Sequence, residues 1–140
     1  MEPTIIQGVL RFAGIASDKE VIVGNFEDLE VWKRSCRLAI LVYEKLKDCR
    51  DYGLKDQMTR AAVSIPSNIA EGAERRTVNE FVSFLYIAKG SAGELRTQIY
   101  IANRLGIISS DDTAAMTAEL KEISRMLFAL IASQNKQQRK

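Results

Sequence analysis

Histidine is missing from all 140 residues of this chain. That removes the commonest general base and the commonest metal ligand. A carboxylate-bridged di-metal site in a helical bundle wants two Glu-x-x-His motifs, so no metal and no cofactor is expected. Cysteine is nearly missing too. Cys36 and Cys49 are thirteen residues apart on one predicted helix, about 20 Å at helical rise, too far for an intrachain disulfide. Two thiols without a partner pattern suit a reducing cytosol, so a cytoplasmic location is expected. Long apolar runs are absent. The longest, Leu38 to Tyr43, is far too short to span a bilayer. The N-terminus lacks a basic stretch followed by an apolar one, so no signal peptide is expected. Charge of one sign is also scarce. The net is +2, too small for a strong field toward nucleic acid or membrane. Gly90-Ser91-Ala92-Gly93 lies mid-helix and lacks the lysine spacing of a phosphate loop, and no small-molecule substrate is indicated.

What is present is an ordinary soluble composition, 46% apolar and 27% charged, long enough for one domain with a sizeable core. Residues 26–134 hold equal numbers of acidic and basic residues. Residues 1–25 carry a net of −1 and residues 135–140 a net of +3. These partitions are read as an N-terminal extension, a bundle domain and a basic C-terminal tail that frays. The extension contains two short β-prone runs, Ile5 to Phe12 and Val21 to Gly24, compatible with a hairpin, an arm docked on a neighbour, or disorder.

From Phe26 onward the apolar period becomes helical. Leu29, Trp32, Cys36, Ala39, Tyr43 and Leu46 form a 3-4 seam, with Val31, Leu38, Leu41 and Val42 outside it. Gly53 marks a turn. A second helix runs from about Leu54 to Ala73 with Met58, Ala61, Ile65, Ile69 and Gly72 as its stripe and Pro66 inside it. Proline there removes a donor to the Ala62 carbonyl and bends the helix. Ser64 or Ser67 is placed to relieve that carbonyl, and the bend to seat Asn68 and Glu71. Thr77-Val78-Asn79-Glu80 is a capping-box sequence opening a third helix, with the stripe Phe81, Leu85, Ala88, Ala92, Leu95, Ile99 and Ala102. Gly90 and Gly93 inside it imply close backbone approach to the small residues of helix two. Gly106 stops it. Ser109 or Ser110 caps a fourth helix with stripe Met116, Leu120, Ile123, Leu127 and Leu130, ending near Ser133. Four helices with short connections predict an all-α, up-down-up-down antiparallel four-helix bundle with a short non-helical N-terminal arm.

Three groups of candidate residues follow. Ser64, Asn68, Glu71 and Glu94 are the polar residues of the most distinctive stretch. Glu71 with Glu94 makes a candidate acid pair, against which stands the plainer pairing of Glu71 with Arg75 one turn on. Lys33, Arg34, Arg37, Arg60, Arg75 and Arg76 are the residues able to form a basic surface for nucleic acid, or else ordinary solvated charges. Val31, Leu38 and Val42 on helix one, with Val82, Tyr86 and Ile101 on helix three, lie outside the core seams and are expected to form an oligomer interface.

Phe26-Glu27-Asp28-Leu29-Glu30-Val31-Trp32, Tyr52-Gly53-Leu54, the run Arg60 to Gly72 (RAAVSIPSNIAEG) and Phe84-Leu85-Tyr86-Ile87-Ala88 resemble the bacterial proteins encoded within intervening sequences of 23S ribosomal RNA genes. Gly90-Ser91, Gly93-Glu94-Leu95 and Gln98 match the same pattern. The resemblance covers about Phe26 to Ser133. That family resembles in turn the accessory proteins of diversity-generating retroelements. It implies a four-helix bundle, a homopentamer, no known catalysis, and contact with structured RNA or a nucleoprotein partner. A purely structural, protein-binding module is the competing expectation. No catalytic residues carry over. Residues 1–25 lie outside the family's usual span, as an arm or an upstream extension of the reading frame.

Overall fold

The computed structural model describes residues 25–138, so the readings placed on residues 1–24 fall outside the described residues. A 3-10 turn, Phe26–Asp28, leads into α1 (Glu30–Lys45). Three longer helices follow: α2 (Tyr52–Ala73), α3 (Val78–Arg104) and α4 (Ser110–Gln138). No strand occurs among the described residues. Each helix packs against its neighbours in sequence, and α1 closes against α4. The diagonal pairs α1–α3 and α2–α4 do not approach. The chain is therefore an all-α four-helix bundle.

The helix ends follow local chemistry. Asp51 Oδ1 accepts from the Leu54 N–H at 3.1 Å and caps α2. Thr77 and Glu80 exchange both capping-box bonds, each within 3.2 Å, and open α3. Gly106 adopts φ +76°, the left-handed conformation that glycine reaches without strain. Ser109 Oγ accepts from the Asp112 N–H at 3.1 Å and starts α4. α4 runs past Ser133 to Gln138, through most of the stretch expected to fray.

The core is built from one stripe of each helix. On α2, Met58, Ala61, Ile65, Ile69 and Gly72 are all buried. Leu85 through Ala102 on α3 and Met116 through Leu127 on α4 are buried at the expected spacing. α1 corrects the reading. Its inward face is Val31, Ser35, Leu38, Ala39, Val42 and Leu46, whereas Trp32 and Cys36 sit on the flank and Tyr43 is exposed. A helix wedged between α2 and α4 buries a wide arc, and α1 is apolar on both sides of the seam inferred for it. Val31, Leu38 and Val42 are thus core residues of the protomer and face no neighbour. Full burial of side chains this size contributes about 1.5–3 kcal/mol each.

The glycines reverse a second expectation. A Cβ built on Gly72 would lie 2.7 Å from Phe84 Cβ and 3.2 Å from the Phe81 carbonyl oxygen, while one on Gly90 or Gly93 would meet nothing within 4 Å. The close approach of α2 to α3 is at Gly72. α2 passes unbroken through the buried Pro66.

Candidate functional surface

The distinctive stretch on α2 divides into two environments. Ser64 Oγ lies 2.8 Å from Ser91 Oγ on α3. Asn68 Nδ2 donates to the Ser64 carbonyl at 2.7 Å and to Ser64 Oγ at 2.8 Å. Asn68 is therefore held by Ser64 one turn earlier. Ser64 is spent on Ser91 and Asn68, not on the carbonyl that Pro66 leaves unbonded. Along α3 the polar line continues through Glu94, which accepts from Gln98 Nε2 at 3.3 Å. Gln98 is buried, and its Oε1 has no partner among the described residues. Glu71 is elsewhere. It is exposed and accepts from Arg75 at 3.0 Å. Glu71 thus pairs with Arg75 just past the end of α2, and Glu94 with Gln98 one turn on in α3.

The six basic candidates are not gathered. Arg34 pairs with Glu119 on α4, its Nε 3.0 Å from Oε2. This hydrogen bond to a carboxylate is the main reason that the Arg34 pKa is raised. Arg37 pairs with Glu30 at 3.3 Å and Arg60 with Asp56 at 3.0 Å. Arg75 pairs with Glu71 and lies over the Phe84 ring, 4.9 Å from its centroid. Lys33 and Arg76 make no ion pair among the described residues.

Arg75 and Arg76 border a groove of about 430 Å³ at the end of the bundle where the chain enters. Its walls come from Phe26 and Leu29, from Gly72 at the end of α2, from Val78 and Phe81 at the start of α3 and from Leu130 on α4. Asn25, the first described residue, stands at its edge. The Phe26 ring meets Trp32 edge-on at 5.3 Å, which fixes the entering chain beside the groove.

α3 leaves four large apolar side chains half open to solvent, beside single ones elsewhere such as Tyr52 and Phe128. Tyr86 is 54% exposed, Ile87 51%, Tyr100 45% and Ile101 47%. Gly90 and Gly93 are exposed between these two Tyr-Ile pairs. Of the six expected interface residues, Tyr86 and Ile101 are open to solvent, and Val82 is half-buried against the core. Ile87 and Tyr100, also exposed on α3, were not among the six. Among the described residues no group of three or more Cys, Asp and Glu is placed to hold a metal ion. No helix there is long and apolar enough to cross a membrane.

An all-α four-helix bundle with exposed tyrosines, isoleucines and glycines on α3 is the class of protein that these features define. A family model described as 23S rRNA-intervening sequence protein matches residues 27–129, and the chain belongs to that family. A crystal structure from Bacteroides thetaiotaomicron, titled as a protein with unknown function from the S23 ribosomal protein family, superposes with a TM-score of 0.68 at 23% identity. The match covers 72% of this chain and 97% of that one. It is a likeness of fold. A search of curated proteins gives no match.

Proposed function

We propose that this protein is a non-enzymatic module that works as a homo-oligomer, each protomer offering the outer face of α3 to another copy. The observation that carries this reading is the pair of exposed glycines. A glycine inside a helix costs about 1 kcal/mol relative to alanine, and neither Gly90 nor Gly93 has anything within 4 Å that a Cβ would strike. Their lack of a side chain serves nothing inside the protomer. It lets another backbone approach, and the flanking tyrosines and isoleucines supply the area such a contact buries. Where that face meets a different surface of the next copy, the contact is head-to-tail and can close into a ring, and five is the number that the family resemblance implies.

In a ring the weakly basic protomer repeats its charges. Lys33 and Arg76, together with Arg34, Arg37, Arg60 and Arg75, are the proposed contacts to structured RNA or a nucleoprotein. A second reading, a protein-interaction module without nucleic acid, draws on the ion pairing that already occupies Arg34, Arg37, Arg60 and Arg75. Anisotropy titration of a labelled structured RNA separates the two. The RNA reading predicts binding that weakens steeply with salt and is lost in Arg76→Glu. Absence of binding at low salt decides for the second. The oligomer itself is tested by light scattering on the Ile87→Glu variant, whose native mass should fall relative to wild type. An unchanged mass rejects the α3 face.

A further inference from the structure

We propose that the α1–α2 connection holds a single-stranded nucleic acid, with Lys47, Arg50 and Lys55 on its phosphates and the Tyr52 ring stacked on an unpaired base. These residues, with Asp48 and Cys49, line a concavity of about 590 Å³. The length of α2, 22 residues or about 33 Å, separates it from Arg75 and Arg76. Its described lining has no aliphatic side chain, so it offers an apolar partner little. Three of the lining residues are cations and one, Asp48, is an acid, an excess of two positive charges. Unlike Arg34, Arg37, Arg60 and Arg75, none of the three cations makes an ion pair among the described residues. Asp51 and Asp56, which flank them in sequence, are engaged elsewhere: Asp51 caps α2 and Asp56 pairs with Arg60.

The connection is held in shape by bonds that leave its charges free. The Cys49 N–H donates to the Leu46 carbonyl at 3.0 Å, Cys49 Sγ to the Asp51 carbonyl at 3.6 Å, and the Lys55 N–H to the same carbonyl at 2.9 Å. Lys55 Nζ donates to the Lys47 carbonyl at 3.4 Å. That bond brings a cation of α2 beside those of the connection and leaves the ammonium two further N–H groups for a phosphate. Tyr52 opens α2 and is 72% exposed, so its ring is open to a base. Cations that track a backbone beside an aromatic ring that stacks on any base are how single strands are held without reading sequence. A free phosphate would use the cations and not the ring. The contact is independent of the α3 face and uses none of the six basic residues named under the proposed function.

Fluorescence anisotropy of the full chain with a short labelled oligoadenylate, and with an abasic strand of the same length, tests this. The oligoadenylate should bind at low salt, and three phosphate contacts on a single strand should weaken it about 20-fold between 50 and 200 mM salt. Lys47→Gln combined with Arg50→Gln should weaken both strands about tenfold or more. Tyr52→Ala should weaken the oligoadenylate about fivefold or more and leave the abasic strand unchanged, whereas Tyr52→Phe, which keeps the ring, should bind like wild type. Arg76→Glu should stay within about twofold of wild type. Circular dichroism checks that each variant keeps its helicity. No binding at low salt, or an affinity indifferent to salt or to the paired glutamines, would overturn the site. A loss confined to Arg76→Glu would overturn it too and place the contact on the arginines at the other end of α2. Equal effects of Tyr52→Ala on the two strands would overturn the stacking.

Discussion

Gly72 and Phe84 pack so closely that a Cβ on the glycine would come within 2.7 Å of the phenylalanine Cβ. The contact sets how near α2 and α3 lie at the end of the bundle that carries the groove. Gly72→Ala must push the two helices apart or displace Phe81, and overpacking of this kind typically costs about 1–3 kcal/mol. Denaturant melts should show that loss. Gly93→Ala, facing open space in the protomer, should leave protomer stability unchanged or raise it by up to about 1 kcal/mol. Equal losses for the two variants would mean that Gly93 is packed within the protomer after all.

Leu38 gives a sharper test of where α1 faces. Buried against its own bundle, Leu38→Ala should destabilise by about 2–5 kcal/mol. Ile87→Ala, on the exposed side of α3, should stay within about 0.5 kcal/mol in the dissociated protomer. Urea unfolding at low protein concentration compares the two. If Leu38→Ala lowered the assembly state without lowering the urea midpoint, α1 would be an interface helix.

These two helices also mark what was legible in the sequence. The stripes Leu85 to Ile99 on α3 and Met116 to Leu127 on α4 keep one helical spacing throughout, so the helical count placed their buried faces correctly. α1 carries Val31, Leu38 and Val42 on one side and Leu29, Trp32 and Cys36 on the other. Its count fits two rotations equally well, and only packing between α2 and α4 selects one. The glycines failed for a related reason. The sequence says that Gly72, Gly90 and Gly93 give up a side chain, but not to whom. Asn68 and Ser64 were legible as polar neighbours one turn apart, whereas the bond from Ser64 to Ser91 depends on the register between helices and is not local information. The six basic residues share no spacing that would gather them, and in the structure four of them have local or interhelical acidic partners.

The capping box at Thr77 makes a local prediction. Its side chain accepts from the Glu80 N–H at 3.1 Å, and Glu80 reaches back to the Thr77 N–H. Thr77→Ala should cost about 1 kcal/mol, read as a lower melting temperature, with Thr77→Ser retaining most of the stability. A Thr77→Ala variant as stable as wild type would mean that packing of the α2–α3 connection, not the cap, holds this end.

Cys36 makes a prediction in pH. Burial pushes its thiol up from 9.0 to about 11, with Arg37 opposing more weakly. The unfolded chain therefore loses this proton first as pH rises. Stability should be constant below about pH 8 and decline between pH 9 and 11, because the folded state keeps the proton longer. The measurement is the melting temperature of wild type minus that of Cys36→Ala across that range, which cancels the tyrosines and lysines titrating there. A difference that grows with pH instead would place Cys36 in a setting that favours the thiolate.

In the assembly proposed above, copies of this chain join on the outer face of α3 through Gly90 and Gly93. Sedimentation equilibrium of wild type and Gly93→Leu, side by side at micromolar concentration, tests it most directly. The account predicts a wild-type mass of several protomers, and a lower mass for Gly93→Leu with unchanged helicity by circular dichroism. A wild-type mass of one protomer, or an assembly that Gly93→Leu leaves intact, would contradict it.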